Sequence, residues 1–100
     1  MEEEKRIRYL PAAMESIYSI SIYIEKEGYP MNAQQFKKEL FSFGNSLGQF
    51  PGRYPICRKP DFRKREYRCA VFKKNYIFVY KPFKTEIVIC NIIHSSRYVF

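Results

Sequence analysis

The chain has three cysteines, one histidine, four glycines and no long apolar run, and each shortage closes a class of function. Cys57, Cys69 and Cys90 form an odd set without a C-x-x-C pair. With His94 as the single histidine, neither a disulfide framework nor a zinc site has its ligands, so no metal and a reduced, cytoplasmic setting are expected. No run of about 18 apolar residues occurs, and the opening Met1-Glu-Glu-Glu-Lys-Arg lacks the basic-then-apolar order of an export signal, so neither a membrane span nor a membrane partner is expected. Paired carboxylates and a Gly-rich phosphate loop are also missing, which leaves no hydrolase triad, no P-loop and no expected cofactor.

Acidic residues are scarce in the second half alone. Residues 1–52 hold six Lys/Arg against seven Asp/Glu, a net of −1, whereas residues 53–100 hold twelve against three, a net of +9. So one-sided an excess points the second half toward an anionic partner, and Coulombic attraction alone does not distinguish nucleic acid, an acidic protein segment and a membrane surface.

What is present is apolar and aromatic. At 46% apolar and 18% aromatic residues the chain is expected to fold, and its length suits one domain over 1–100 that buries roughly two-thirds of its unfolded surface. Residues 5–10 alternate charge and bulk and read as a short edge strand before Pro11. From Pro11 to Glu27, Ala13, Ile17, Ile20 and Ile24 share one helical face, with Gly28 as the stop. The alternation of Ile20, Ile22 and Ile24 also suits a strand, but the Pro11 start and the length favour a helix. Asn32 with Gln35 reads as the cap of a second helix whose Phe36, Leu40, Phe43 and Leu47 repeat the spacing until Gly48 and Pro51.

Residues 51–65 carry three prolines and six basic residues without a period and read as a positively charged connector. Tyr67–Phe72, Tyr76–Lys81 and Thr85–Ile93 then form an antiparallel meander, with Asn75 and Pro82 at the reversals. The expected architecture is α+β: an N-terminal helical hairpin packed on a C-terminal antiparallel meander of three to four strands.

The groups available for chemistry are cationic and phenolic. Arg68, Lys73, Lys74, His94, Arg97 and Tyr98 could neutralise a phosphoryl group and move a proton, as cleavage of RNA through its own 2′-hydroxyl requires; a lone His near a strand end is more often a structural group bonded to backbone. Arg63, Lys64 and Arg65 with Arg68 form a basic cluster, either a phosphate or acidic-peptide contact or a solvated guard on an edge strand. Phe36, Phe43 and Phe78 read as core, while Tyr54 and Tyr98 fall in or after irregular segments and are the candidates for exposed contacts.

Taken in order, the helical hairpin, Pro51–Arg53, Tyr67-Arg68, Asn75–Tyr80, Ile89–Ile93 and His94-x-x-Arg97 resemble the RelE/ParE superfamily of bacterial type II toxins. The resemblance implies a toxin held inactive by a cognate antitoxin with an amphipathic, often acidic segment. It further implies that Arg63, Lys64, Arg65, Arg68, Lys73, Lys74 and Arg97 meet the antitoxin or the target. RelE-like members cut messenger RNA on the ribosome, and on that side Arg68, His94, Arg97 and Tyr98 would be catalytic; ParE-like members poison DNA gyrase and are not nucleases. The His-x-x-Arg ending, with three residues after Arg97, leans toward ParE. A plain basic nucleic-acid-binding domain is the third expectation.

Overall fold

The computed structural model describes residues 5–97. The elements are β1 (Arg6–Tyr9), α1 (Pro11–Lys26), α2 (Pro30–Ser46), α3 (Pro60–Lys64), β2 (Arg68–Phe72), β3 (Tyr76–Pro82), β4 (Glu86–His94) and a 3₁₀ turn at Ser95–Arg97. They form the expected α+β arrangement, with α1 and α2 as an antiparallel hairpin against one sheet of order β1-β4-β3-β2. The meander β2-β3-β4 is antiparallel, and the short edge strand β1 joins it in parallel with β4, pairing Ile7 with Ile87 and Tyr9 with Ile89.

Both long helices open on a proline, whose missing N–H costs nothing in the first turn. For α2 this corrects the expected start: the helix begins at Pro30 with Tyr29 in the cap position and no side-chain cap bond, so Asn32 lies inside the first turn rather than at its head. Gly28, at φ 91°, ends the first helix region as expected, a left-handed conformation that suits glycine.

The helix-facing layer is the main core. Ala13 and Ile17 of α1 and Leu40 of α2, with Leu47 just past its end, meet Ala70, Phe78, Tyr80, Ile87, Ile89 and Ile92 of the sheet. Phe43 lies edge-on to Phe78, ring centroids 5.0 Å apart, a favourable aromatic geometry. Tyr54, expected to be exposed, is half-buried at the margin of this core, 6.0 Å from Phe43. Gly44 is required for close approach, because a Cβ there would lie 2.4 Å from the Tyr9 hydroxyl.

The opposite face corrects two expectations. The connector is not without structure: Ile56 bridges to Arg68, and α3 packs Phe62 against Tyr67. Its residues close a second cluster of Cys57, Ile77 and Val79, flanked by Cys69, Cys90 and Ile93. The cysteines also pair, as a Cys57–Cys69 disulfide with Cys90 free; twelve positions apart, the two are brought together by the β-type pairing of residues 55–57 with 67–69.

One irregularity positions the site. Val79 pairs with Asn91 and Tyr80 with Ile89, leaving Cys90 as an extra residue of β4. Ile87 and Ile89 face the helices before this bulge and Ile92 does so after it, while Cys90 and Ile93 join the opposite cluster. His94 is therefore turned toward α1.

Candidate functional site

His94 is the last residue of β4 rather than a residue beyond it, opposite Tyr76 in register, with the two rings edge-on at 5.4 Å. The chain turns at once into Ser95–Arg97, and this turn is tied to the β2–β3 hairpin by Ser95 N–H donating to Asn75 O at 2.7 Å. His94, Ser96, Arg97 and Tyr76 line one side of an open cleft of about 450 Å³, and Ser19 and Tyr23 of α1 line the other. Ser16, Ser19, Ile20 and Tyr23 follow helical i, i+3, i+4, i+7 spacing, a signal legible in the sequence, but one that acquires meaning only once β4 lies beside it.

The cleft's chemistry is that of donors. The Ser96 backbone N–H donates to His94 Nδ1 at 3.1 Å, so Nδ1 acts as an acceptor and the ring proton is assigned to Nε2. Ser96 Oγ also lies 2.8 Å from Nδ1. His94 in this state presents an N–H, not a free lone pair, to a ligand. Burial, with a smaller contribution from Tyr23, raises the Tyr76 phenol above its ordinary range and keeps it protonated. Ser16 Oγ donates to Asn91 Oδ1 at 2.8 Å, which fixes the floor of the cleft at the bulge.

The other expected site residues are dispersed. Lys73 and Lys74 occupy the β2–β3 turn at the same end of the sheet, both with positive φ (50° and 66°), where Asn75 was expected to carry the reversal. Lys73 is ion-paired with Glu39 and lies 5.4 Å above the Phe36 ring, so much of its charge is already engaged. Arg63 and Lys64 end α3 and Arg65 caps it, all exposed, on the segment that covers the other sheet face. Tyr98 lies outside the described residues.

Arg68 is at the far end. It pairs with Tyr80, whereas His94 pairs with Tyr76, a difference of four residues along β3, or roughly 13 Å at strand rise. Its guanidinium donates to Tyr54 O at 2.5 Å and lines a separate cleft with Lys5 and Lys84, two residues that sequence reasoning did not single out. Burial pushes the Tyr80 phenol in the adjacent core up to about 12. Among the described residues no group of three or more His, Cys, Asp or Glu is arranged to hold a metal, and no helix is long and apolar enough to cross a membrane.

Helical hairpin, four-stranded sheet and terminal His94/Arg97 rim together make a small α+β fold shared with a solved structure. A solved structure described as "Chromosomal ParDE TA system from P. aeruginosa" superposes with a TM-score of 0.77 at 14% identity, covering 91% of this chain and 96% of that one. No curated protein matches the sequence. The family model for the ParE toxin of the type II toxin–antitoxin system parDE matches residues 7–98, and the chain belongs to that family within the RelE/ParE superfamily.

Proposed function

We propose that this protein is one growth-inhibiting toxin domain over residues 1–100, acting in the cytoplasm as a non-enzymatic inhibitor of DNA gyrase and silenced by a cognate antitoxin. The observation that carries the reading is the ParE-toxin match across residues 7–98. Supporting it, Arg68 is remote from His94 and Arg97, and His94 Nδ1 is already occupied; a nuclease that used Arg68, His94, Arg97 and Tyr98 together would need the first three to converge. In this reading Arg63, Lys64 and Arg65 around α3, Arg68 at one end of the sheet and Lys73, Lys74 and Arg97 at the other are separate basic contacts for an acidic antitoxin segment that wraps the toxin, with electrostatics favouring rapid association.

The chain is expected to arrest bacterial growth when induced alone and to be harmless when induced with the protein encoded beside it. Purified protein is expected to block gyrase supercoiling and to leave ribosome-bound messenger RNA intact. Ribosome-dependent cuts with gyrase unaffected would replace gyrase by messenger RNA as the target. Normal growth on induction would remove the toxin reading altogether.

A further inference from the structure

The Arg68 end of the sheet holds a second cleft, of about 630 Å³, whose lining includes Lys5, Arg68, Lys84, Gly48, Pro51 and Gly52. Three cations face it and no carboxylate lines it among the described residues; Glu86, close by in β4, is taken up by Arg8 at 3.2 Å. Two of the three cations are held in place. Lys5 Nζ donates to Phe83 O at 2.6 Å and Arg68 Nη1 to Tyr54 O at 2.5 Å, and both groups keep further N–H donors.

The walls are fixed as well. Lys5 N–H donates to Gly48 O at 3.3 Å, a Cβ on Gly48 would lie 2.7 Å from Lys5 O, and the buried Tyr80 hydroxyl donates to Pro51 O at 2.9 Å. At Gly52 a Cβ would meet nothing within 4 Å, so the backbone there is open to a ligand. A shallower depression over Phe50, Pro51, Gly52 and Arg53 shares Pro51 and Gly52 with the cleft, and the Phe50 ring is 66% exposed.

We propose that this cleft binds a nucleotide, with Lys5, Arg68 and Lys84 on the phosphate oxygens and the base against Phe50. Three cations, two of them fixed and none facing a carboxylate of the lining, suit a phosphate chain, whose charge-assisted bonds are strong, and an exposed ring beside them supplies a stacking surface that any base can use. The site does not rest on the gyrase reading, since binding to the isolated protein is independent of the toxin's target.

Calorimetric titration of the full-length protein with ATP, AMP and inorganic pyrophosphate tests it. ATP is expected to bind more tightly than AMP, which has fewer phosphates, and several-fold more tightly than pyrophosphate, which has no base. Lys84→Gln is expected to weaken ATP about tenfold, the loss of one charge-assisted bond. Lys26→Gln, which removes the same charge from the exposed end of α1, should change it by less than about twofold. Phe50→Ala should bring ATP down to the affinity of pyrophosphate. Arg68→Gln also strips the donor from Tyr54 O, so the exposed Lys84 carries the test should that variant fail to fold. Absence of heat with both ATP and pyrophosphate at millimolar concentration, or equal losses from Lys84→Gln and Lys26→Gln, overturns the site. A single-stranded oligonucleotide that displaces ATP at far lower concentration overturns the free nucleotide as its ligand.

Discussion

The two faces of the sheet are closed by different means. On one, two helices of 16 and 17 residues lay Ala13, Ile17 and Leu40 over Phe78, Tyr80, Ile87, Ile89 and Ile92, and apolar area together with interlocking rings supplies the cohesion. On the other, an irregular connector with one short helix closes over a smaller cluster of Cys57, Ile77 and Val79 and is pinned to β2 by a disulfide. A small cluster under a loop offsets less of the loop's ordering entropy than a helical layer does, and a crosslink that restricts the unfolded chain adds to it. The more basic segment of the molecule thus sits on the face that carries the disulfide.

The comparison is broken most severely from the helical side. Phe78→Ala, at a fully buried position in contact with Phe43, is expected to cost about 3–5 kcal/mol. That is a large share of a small domain's stability, and urea unfolding followed by circular dichroism reads it. From the connector side, the Cys57→Ser/Cys69→Ser double variant is expected to lose about 2–4 kcal/mol. A loss near zero in the same melt would mean that the backbone pairing of residues 55–57 with 67–69 suffices without the crosslink.

Gly44→Ala sharpens how closely the helices must approach the sheet. The added Cβ meets the Tyr9 hydroxyl and the Ile89 Cδ1, and a cost of about 1–3 kcal/mol is expected from overpacking, against the gain a Gly→Ala change brings in an open helix. Tyr80→Phe, which deletes the hydroxyl bonded to Pro51 O, is the mildest at about 1 kcal/mol.

Tyr80 and Tyr9 also set an alkaline limit. Burial raises both phenols to about 12 in the folded state from the ordinary 10. Their folded pKa lies above the unfolded value, so their contribution to stability is complete below pH 10 and is lost as pH rises from 10 through 12. Melting temperature measured across that window should fall, and should fall less steeply in Tyr9→Phe and Tyr80→Phe. An unchanged slope in both variants would assign the alkaline loss to other groups.

The helical hairpin was legible because four-three-four apolar spacing and proline starts are local signals, and they placed Ala13, Ile17, Leu40 and Leu47 correctly in the core. The start of α2 is obscured in the sequence because Asn32 opens what looks like a capping pair with Gln35, two residues inside a helix that Pro30 already begins. The connector was misread because α3 spans only Pro60–Lys64, too short to show a period, and because the Cys57–Cys69 pairing depends on a β-bridge between distant segments. Of the candidate site, His94 and Arg97 were visible as a strand-end motif. Their neighbours Ser19 and Tyr23 were not, nor was the grouping of Lys5 and Lys84 with Arg68, since charge and aromatic content say nothing about which residues a fold brings together.

By itself the sequence determined the α+β class, the two amphipathic helices, the meander and the concentration of positive charge in the second half, all consequences of local periodicity, turn chemistry and composition. Only the tertiary structure decided which groups act together. A single extra residue in β4, Cys90, reverses which side of the sheet the following side chains occupy and turns His94 toward Ser19 and Tyr23. Strand register then sets Arg68 at the opposite end, because pairing with Tyr80 rather than Tyr76 is a property of two strands aligned and of neither strand alone.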